Sequence, residues 1–132
     1  MTQIAVSTSP LAELAEGCHD TAERELVREF MARLGDRWTV QVIQQLIAGE
    51  VRFTELMERI PGISHRMLAK TLKALERDGL LVRRAFPTVP PRVDYRLTPL
   101  GESLATPLIA LIDWVKAARA EIETSRREYD GR

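Results

Sequence analysis

Four basic residues recur at helical spacing between Ser64 and Asp78, and side chains of this kind bind phosphate groups. At about 100° per residue, the cations of this segment fall on one side of a helix and its leucines on the other. The cations are Arg66, Lys70, Lys73 and Arg77, and the leucines are Leu68, Leu72 and Leu75. The pattern predicts a helix held on the protein body by leucine. Its outward face is either a plain solvated surface or a binding surface for a polyanion such as DNA.

The start of this helix suits contact with DNA. Ser64 is a good N-cap, and the first turn offers backbone N–H groups and the positive end of the helix dipole to a phosphate. One α-helix fits the major groove of B-DNA, and its first turns usually reach the base edges. Arg66 is the best candidate for a bidentate contact with guanine, whereas Lys73 lies further back, where a phosphate contact is expected. The predicted DNA-binding residues are Ser64, His65, Arg66, Lys70, Lys73 and Arg92.

The neighbouring segments favour the DNA-binding interpretation. A short helix is predicted over residues 54–60, and Pro61-Gly62 forms a turn before the basic helix, as in a helix-turn-helix pair. After Gly79 the pattern changes to β. Residues 80–86 and the alternating run 92–97 predict a hairpin around the proline-rich loop 87–91. The hairpin brings Arg83, Arg84 and Arg92 beside the basic helix, and we expect Arg92 at its tip to approach the DNA backbone or the minor groove.

Helices are also predicted on both sides of this region. The pattern favours a short helix over residues 9–17, a second from Asp20 to Gly35, a third over 37–49, and a long one over about 99–124 whose tail frays after Ser125. Residues 51–53 form no more than a bridging strand. The fold class is α+β, mainly α: a winged helix-turn-helix with a two-stranded wing and extra terminal helices. We predict one domain over residues 1–132, with the DNA-binding part at about 37–98.

The charge distribution agrees with a DNA-binding face on an otherwise acidic body. The 132-residue chain has a formal net charge of zero, but residues 64–97 hold eight basic and three acidic side chains. No apolar run is long enough to span a bilayer, and residues 1–10 lack the features of a secretory signal. The single cysteine excludes an intrachain disulfide framework. We therefore expect a cytoplasmic protein without a membrane anchor.

Several separate motifs of the chain resemble those of the HxlR-type regulators. They are residues 35–39 (GDRWT), 52–56 (RFTEL), 61–68 (PGISHRML), 72–80 (LxxLExDGL) and 90–101 (PPRVDYRLTxxG). The resemblance covers about residues 34–114. It implies a homodimeric winged-helix DNA-binding protein, related to the MarR group, in which the first and last long helices form the dimer interface.

The apolar residues of the last helix support this interface independently, because they cover more than half of its circumference. Trp114 and Leu111 could equally be ordinary core residues. The predicted interface residues are Leu26, Phe30, Leu108, Leu111, Trp114 and Val115. A two-fold dimer favours a pseudo-palindromic site. We expect repression rather than activation, because no segment resembles a polymerase-contacting surface.

A sensing function has two candidate locations. The resemblance implies a reactive cysteine near the start of the first helix in many relatives. Here Cys18 lies about two turns away from that place, which corresponds to Glu25, and its acidic neighbours disfavour the thiolate. Cys18 is kept as a candidate redox sensor, and Phe30 with Trp38 as a candidate pocket for a small-molecule effector, although such aromatic residues are more often core.

Other classes of function find little support in the sequence. Two histidines, one cysteine and no glycine-rich phosphate loop give no convergent catalytic set, so we predict no enzyme activity. No metal site and no cofactor are predicted, since Cys18, His19 and Glu23 have no second ligand cluster. The alternative to a DNA-binding regulator is a winged helix used for protein–protein contact, which would not need the basic face.

Overall fold

The computed structural model describes residues 21–132, and the chain divides into two compact units, residues 1–36 and 37–132. In the first unit the described part holds helix α1 (Thr21–Leu34), none of whose residues is buried. Its bounds agree with the helix predicted between Asp20 and Gly35. The helix predicted over residues 9–17 lies outside the described residues, and the assignment of all 132 residues to one domain stays a prediction.

The second unit confirms the predicted mainly helical α+β winged helix. Its elements are α2 (Thr39–Leu46), β1 (Val51–Arg52), α3 (Phe53–Arg59), α4 (His65–Arg77), β2 (Leu81–Phe86), β3 (Arg92–Leu97) and α5 (Pro99–Asp130). Gly62, with a φ of +86°, makes the turn between α3 and α4. The helix-turn-helix pair and the hairpin therefore lie where the sequence predicts them.

The hairpin is part of a three-stranded antiparallel sheet with β3 in the centre. The short strand β1 pairs with β3 through Val51 and Tyr95, which confirms the predicted bridging strand. The register places Arg52 and Arg84 on either side of Asp94. Side chains of paired residues share a face of the sheet, so these three charged groups lie on the same face.

A continuous apolar core connects the helices of the second unit to the sheet. Helices α2, α3 and α4 all contribute to it, and β2 enters at Leu81. Nine of its side chains have at most 2% of their surface exposed: Val42, Ile43, Leu46, Leu56, Ile60, Leu68, Leu72, Leu75 and Leu81. Burial of such side chains is the main favourable contribution to folding, at roughly 1.5–3 kcal/mol each. The core thus fixes α4 from beneath.

Hydrogen bonds connect the end of α4 to the start of α5. Gly79 takes a φ of +77°, its N–H donates to Glu76, and the N–H of Leu80 donates to Leu75 in a Schellman motif. Thr98, the N-cap of α5, then donates its hydroxyl to the Gly79 carbonyl at 2.6 Å and accepts from the Gly101 N–H at 3.1 Å. This junction sets where the hairpin leaves α4 and where it returns.

Helix α5 is longer than the sequence predicts. We expected it to end near residue 124 and its tail to fray after Ser125, but it continues to Asp130. Side-chain hydrogen bonds one turn apart, from Arg119 to Glu123 and from Arg127 to Thr124, support the last turns. None of the helices in the described part of the chain combines the length and apolar character that a bilayer crossing requires.

We predict that Gly101→Ala lowers the free energy of unfolding by about 2 kcal/mol or more, because the added Cβ would overlap the Leu80 carbonyl oxygen, a backbone atom that cannot turn aside. Urea unfolding measures the change. Gly35→Ala is the control: its Cβ would meet the nearest backbone oxygen at 3.4 Å, and we expect a change within about 0.5 kcal/mol. Equal stability of the two variants would contradict the packing of α5 on Leu80.

Candidate nucleic-acid interface

Helix α4 has the two opposed faces that the sequence predicts. The Ser64 hydroxyl accepts a hydrogen bond from the Met67 N–H at 3.1 Å, which fixes the start of the helix. Leu68, Leu72 and Leu75 are at most 1% exposed. The opposite face is exposed, where Ala69 lies among the cations Arg66, Lys70 and Lys73 and with them lines a shallow depression. The fourth cation, Arg77, is exposed in the last turn.

His65 belongs to a row of aromatic rings at the start of α4. Its ring centroid lies 4.7 Å from that of Phe53, and the Phe53 ring lies 6.4 Å from that of Tyr95 in the central strand. His65 remains exposed, whereas Tyr95 is buried. The row joins α3, α4 and the sheet, so His65 has a fixed place beside the hairpin.

A cleft of about 640 Å³ lies between the start of α4 and the hairpin. Cationic, aromatic and apolar side chains line it without any acidic residue: Arg52, Phe53, Thr54, His65, Arg83, Thr88, Val89, Pro90, Pro91, Arg92, Val93 and Tyr95. A cleft lined by cations and lacking carboxylates favours an anionic occupant. It extends the basic surface of α4 onto the hairpin.

Arg92, which the sequence predicts at the tip of the hairpin, is held there by neighbouring side chains. It begins β3 opposite Phe86, and its guanidinium donates to Asp94 from Nε at 3.1 and 3.2 Å and from Nη2 at 2.8 Å. The same guanidinium lies over the Phe86 ring, 4.8 Å from its centroid. The sequence pattern did not reveal these partners of Arg92, and its approach to DNA stays a prediction.

Asp94 is the residue that the sequence reasoning overlooked. The alternation of β3 predicted an exposed side chain, yet Asp94 is only 2% exposed. The hydrogen bonds from Arg92 hold the pKa of the Asp94 carboxyl below its usual value, and the nearby Arg52 and Arg84 add to the effect, whereas burial opposes it. The sequence does show Arg92 two residues before Asp94, on the same face of the strand, and this spacing could have indicated an ion pair. It does not show the strand register that places Arg52 and Arg84 beside Asp94.

Some cations of the hairpin form ion pairs with carboxylates, and others do not. Arg84 pairs with Glu50 at 3.1 Å and lies 5.2 Å from the Phe86 ring centroid. The Arg83 side chain points to the other face and lines the cleft, and it makes no hydrogen bond or ion pair with another side chain within residues 21–132. Arg83 is thus a hairpin cation that is available to a phosphate in the cleft, although the sequence pattern did not single it out as a site residue.

The remaining candidate residues are placed as follows. Leu26, Leu111, Trp114 and Val115 are exposed, as an interface with a second chain requires. Leu108 is only 6% exposed and so belongs to the core of its own subunit, which argues against a role at the interface.

The sensing candidates find no direct support in the described residues. Phe30 is half-buried, with the Arg33 guanidinium 5.3 Å from its ring centroid, and Trp38 is 9% exposed and packs in the core. Cys18 and His19 lie outside the described residues. No group of three potential metal-ligating side chains converges within residues 21–132. The effector pocket and the redox sensor stay predictions.

Comparison with known proteins places the chain in a family. The HxlR-like helix-turn-helix family matches residues 33–123. The chain is 41% identical over 128 residues to the HTH-type transcriptional regulator YtfH of Escherichia coli, covering 97% of this chain and 98% of the relative.

Two solved structures show the same fold. The transcriptional regulator ytfH from Salmonella typhimurium gives a TM-score of 0.71 at 40% identity, covering 76% of this chain and 90% of that one. The reduced form of the transcriptional regulator YodB from B. subtilis gives 0.60 at 36% identity, covering 67% and 86%. These relatives are regulators of transcription rather than enzymes. The chain belongs to the HxlR-like helix-turn-helix family and is a transcriptional regulator with a helix-turn-helix DNA-binding domain.

Proposed function

We propose that the protein is a homodimeric repressor that binds a pseudo-palindromic DNA site through helix α4. The observation that carries this proposal is the opposition of buried leucine and exposed cation on that one helix. The leucines leave α4 no freedom to rotate on the body, so the cations keep a constant direction. A helix presented in this way fits the major groove of B-DNA.

The cations of α4 are proposed to have different roles: those near the start of the helix contact bases, and those further along contact phosphates. Arg66 in the first turn reads guanine through two parallel hydrogen bonds, and Lys70 one turn later lies within reach of the same groove. Lys73, a further turn back, contacts a phosphate. Arg83 lines the cleft beside His65, and it contributes a second phosphate contact from the hairpin.

The homodimer is proposed on the exposed apolar surface of the terminal helices. Beyond Leu108 no residue of α5 is buried, yet this part of the helix carries Leu111, Trp114 and Val115, each about half exposed or more. Leu26 of α1 is exposed to a similar extent. Large exposed apolar side chains on one element mark an interaction surface. A two-fold dimer presents two copies of α4 to DNA about one helical turn apart.

Repression follows as the simplest consequence of such binding, because occupying a site at a promoter needs no contact with polymerase. The cytoplasmic location expected from the sequence is consistent with a protein that acts on DNA. The alternative function, a winged helix for protein–protein contact, does not require the exposed cations of α4.

We predict that the double variant Arg66→Ala/Lys70→Ala lowers affinity for DNA at least about tenfold, because it removes two side chains that bind in the groove. The DNA is a duplex selected from a random pool by the unaltered protein, and fluorescence anisotropy measures binding at several salt concentrations. The salt dependence should stay nearly the same, because the log–log slope follows the number of neutralised phosphates, about 0.9 for each, and both side chains are assigned to the groove rather than to phosphates.

The matched control is Arg126→Ala/Arg127→Ala, which removes the same charge near the end of α5. We expect nearly unchanged binding. If both double variants weaken binding equally, the effect reflects net charge, and α4 is not the reading helix. Failure of the unaltered protein to select any duplex would favour the protein–protein alternative.

The single variants Arg66→Ala and Lys73→Ala should separate base reading from phosphate contact. Arg66→Ala should cost about 1–3 kcal/mol on the selected duplex and much less on random DNA. Lys73→Ala should weaken both duplexes alike, because phosphates carry no sequence information. Titrations of both duplexes by each variant decide this. Equal losses on the two duplexes for Arg66→Ala would contradict its assignment to a base.

We predict that Trp114→Glu converts the dimer to a monomer, because a charge replaces a large apolar side chain at the proposed interface. The loss should be on the order of 2 kcal/mol or more of association free energy. Sedimentation equilibrium measures the mass against the 15.0 kDa of one chain. Val89→Glu, at a residue 99% exposed on the hairpin loop, is the control and should leave the dimer intact. A monomeric unaltered protein, or a dimeric Trp114→Glu, would contradict the proposal.

A further inference from the structure

The face of the sheet that carries Arg52, Arg84 and Asp94 is called the outer face here. It also carries Arg92, whose guanidinium is contacted on two sides. The Asp94 carboxylate engages Arg92 at its edge through Nε and Nη2, with distances of 2.8–3.2 Å. The Phe86 ring covers a face of the same guanidinium at 4.8 Å. Because edge and face are both engaged, the guanidinium plane has little freedom to turn.

The surroundings hold these two partners in place. Asp94 lies in the central strand with β1 and β2 on either side, and its side chain is only 3% exposed. Phe86 also carries the Arg84 guanidinium, which is in turn held by Glu50 at 3.1 Å. Arg92 is thereby held within its own strand by Asp94 and from β2 by Phe86.

Stability alone is a poor explanation for this arrangement. Burying a carboxylate costs free energy that its ion pair only offsets, and an apolar side chain at such a place is often as stable. The Arg92 side chain, by contrast, stays 40% exposed. A guanidinium has five N–H groups, and within residues 21–132 its only hydrogen bonds go to Asp94, from Nε and Nη2. Several N–H groups are therefore left for an external acceptor, at an orientation already set.

We propose that Asp94 is a positioning residue for DNA binding, which holds the guanidinium of Arg92 in the orientation that meets the nucleic acid beside the hairpin. This inference rests on the proposed function. A pre-oriented donor loses less conformational entropy on binding than a free arginine does. Asp94 therefore strengthens binding to a polyanion even though its own charge repels one.

The charge of Asp94 and its positioning of Arg92 have opposite effects on DNA binding, so Asp94→Asn is a direct test. The substitution removes a negative charge near DNA, so charge alone predicts tighter binding. An amide offers one oxygen and a donor NH₂ in place of two acceptor oxygens, so it cannot accept from Nε and Nη2 with two separate oxygens. We expect affinity for the selected duplex to fall about three- to tenfold.

A double-mutant cycle separates positioning from a merely structural role. In the Arg92→Gln background, Asp94→Asn should no longer weaken binding, because no guanidinium remains to be oriented. If Asp94→Asn weakens binding equally in both backgrounds, its effect is structural and the proposal is overturned. Unchanged or tighter binding in the natural background would overturn it as well.

Arg92→Lys supplies a second test that does not depend on how well Asp94→Asn folds. It keeps the positive charge but cannot make the contact through two nitrogen atoms that Arg92 makes with Asp94. We expect binding nearly as weak as that of Arg92→Gln, and affinity close to that of the natural protein would overturn the proposal. Arg66→Ala/Lys70→Ala distinguishes the two failures: if that variant loses affinity while all Arg92 and Asp94 variants bind normally, the proposed function stands and this inference fails.

Discussion

The packing of three leucines beneath α4 is the interaction on which the rest of the surface depends. Leu68, Leu72 and Leu75 are almost fully buried and belong to the same core as α2, α3 and β2. They determine which side of α4 faces solvent, and the helical repeat then places Arg66, Lys70 and Lys73 on that side. The basic face is thus a consequence of the core. A loss of this packing would remove both the stability and the direction of the cations.

The hairpin adds a second basic surface that is organised differently. On α4 the cations are exposed and separate, whereas on the outer face of the sheet Arg84 and Arg92 are held by carboxylates and by the Phe86 ring. Arg83, on the other face, is free to enter the cleft beside His65. The two surfaces meet at this cleft. An occupant of the cleft therefore meets His65 of α4 on one side and, on the hairpin, the free Arg83 and the held Arg92.

Features that depend on local patterns could be predicted from the sequence. Ser64 as a cap, Gly79 at the helix end and the leucine spacing define α4 within one residue, and the prolines of the loop separate the hairpin strands. Each of these signals acts over a few residues. The basic face could be predicted for the same reason, since it follows from the helical repeat alone.

The features that were missed depend on contacts between distant residues. The burial of Asp94 follows from β3 lying between two strands, which alternation along one strand does not reveal. The apolar stripe of the last helix is continuous, so it gave no sign that Leu108 is buried in its own subunit while Leu111 is exposed. The last turns of α5 carry a hydrogen bond between the side chains of Arg127 and Thr124, a pair that the polarity of the tail did not reveal.

DNA recognition by this protein is proposed to depend on the entry of the cationic face of α4 into the major groove. The most direct measurement is DNA cleavage by an iron chelate tethered to Lys70→Cys, in a Cys18→Ser background so that only one thiol reacts. We expect strand scission confined to one position in each half of the selected duplex, with the offset between strands typical of attack from the major groove. Scattered cleavage, like that from a chelate tethered to Arg126→Cys, would contradict it.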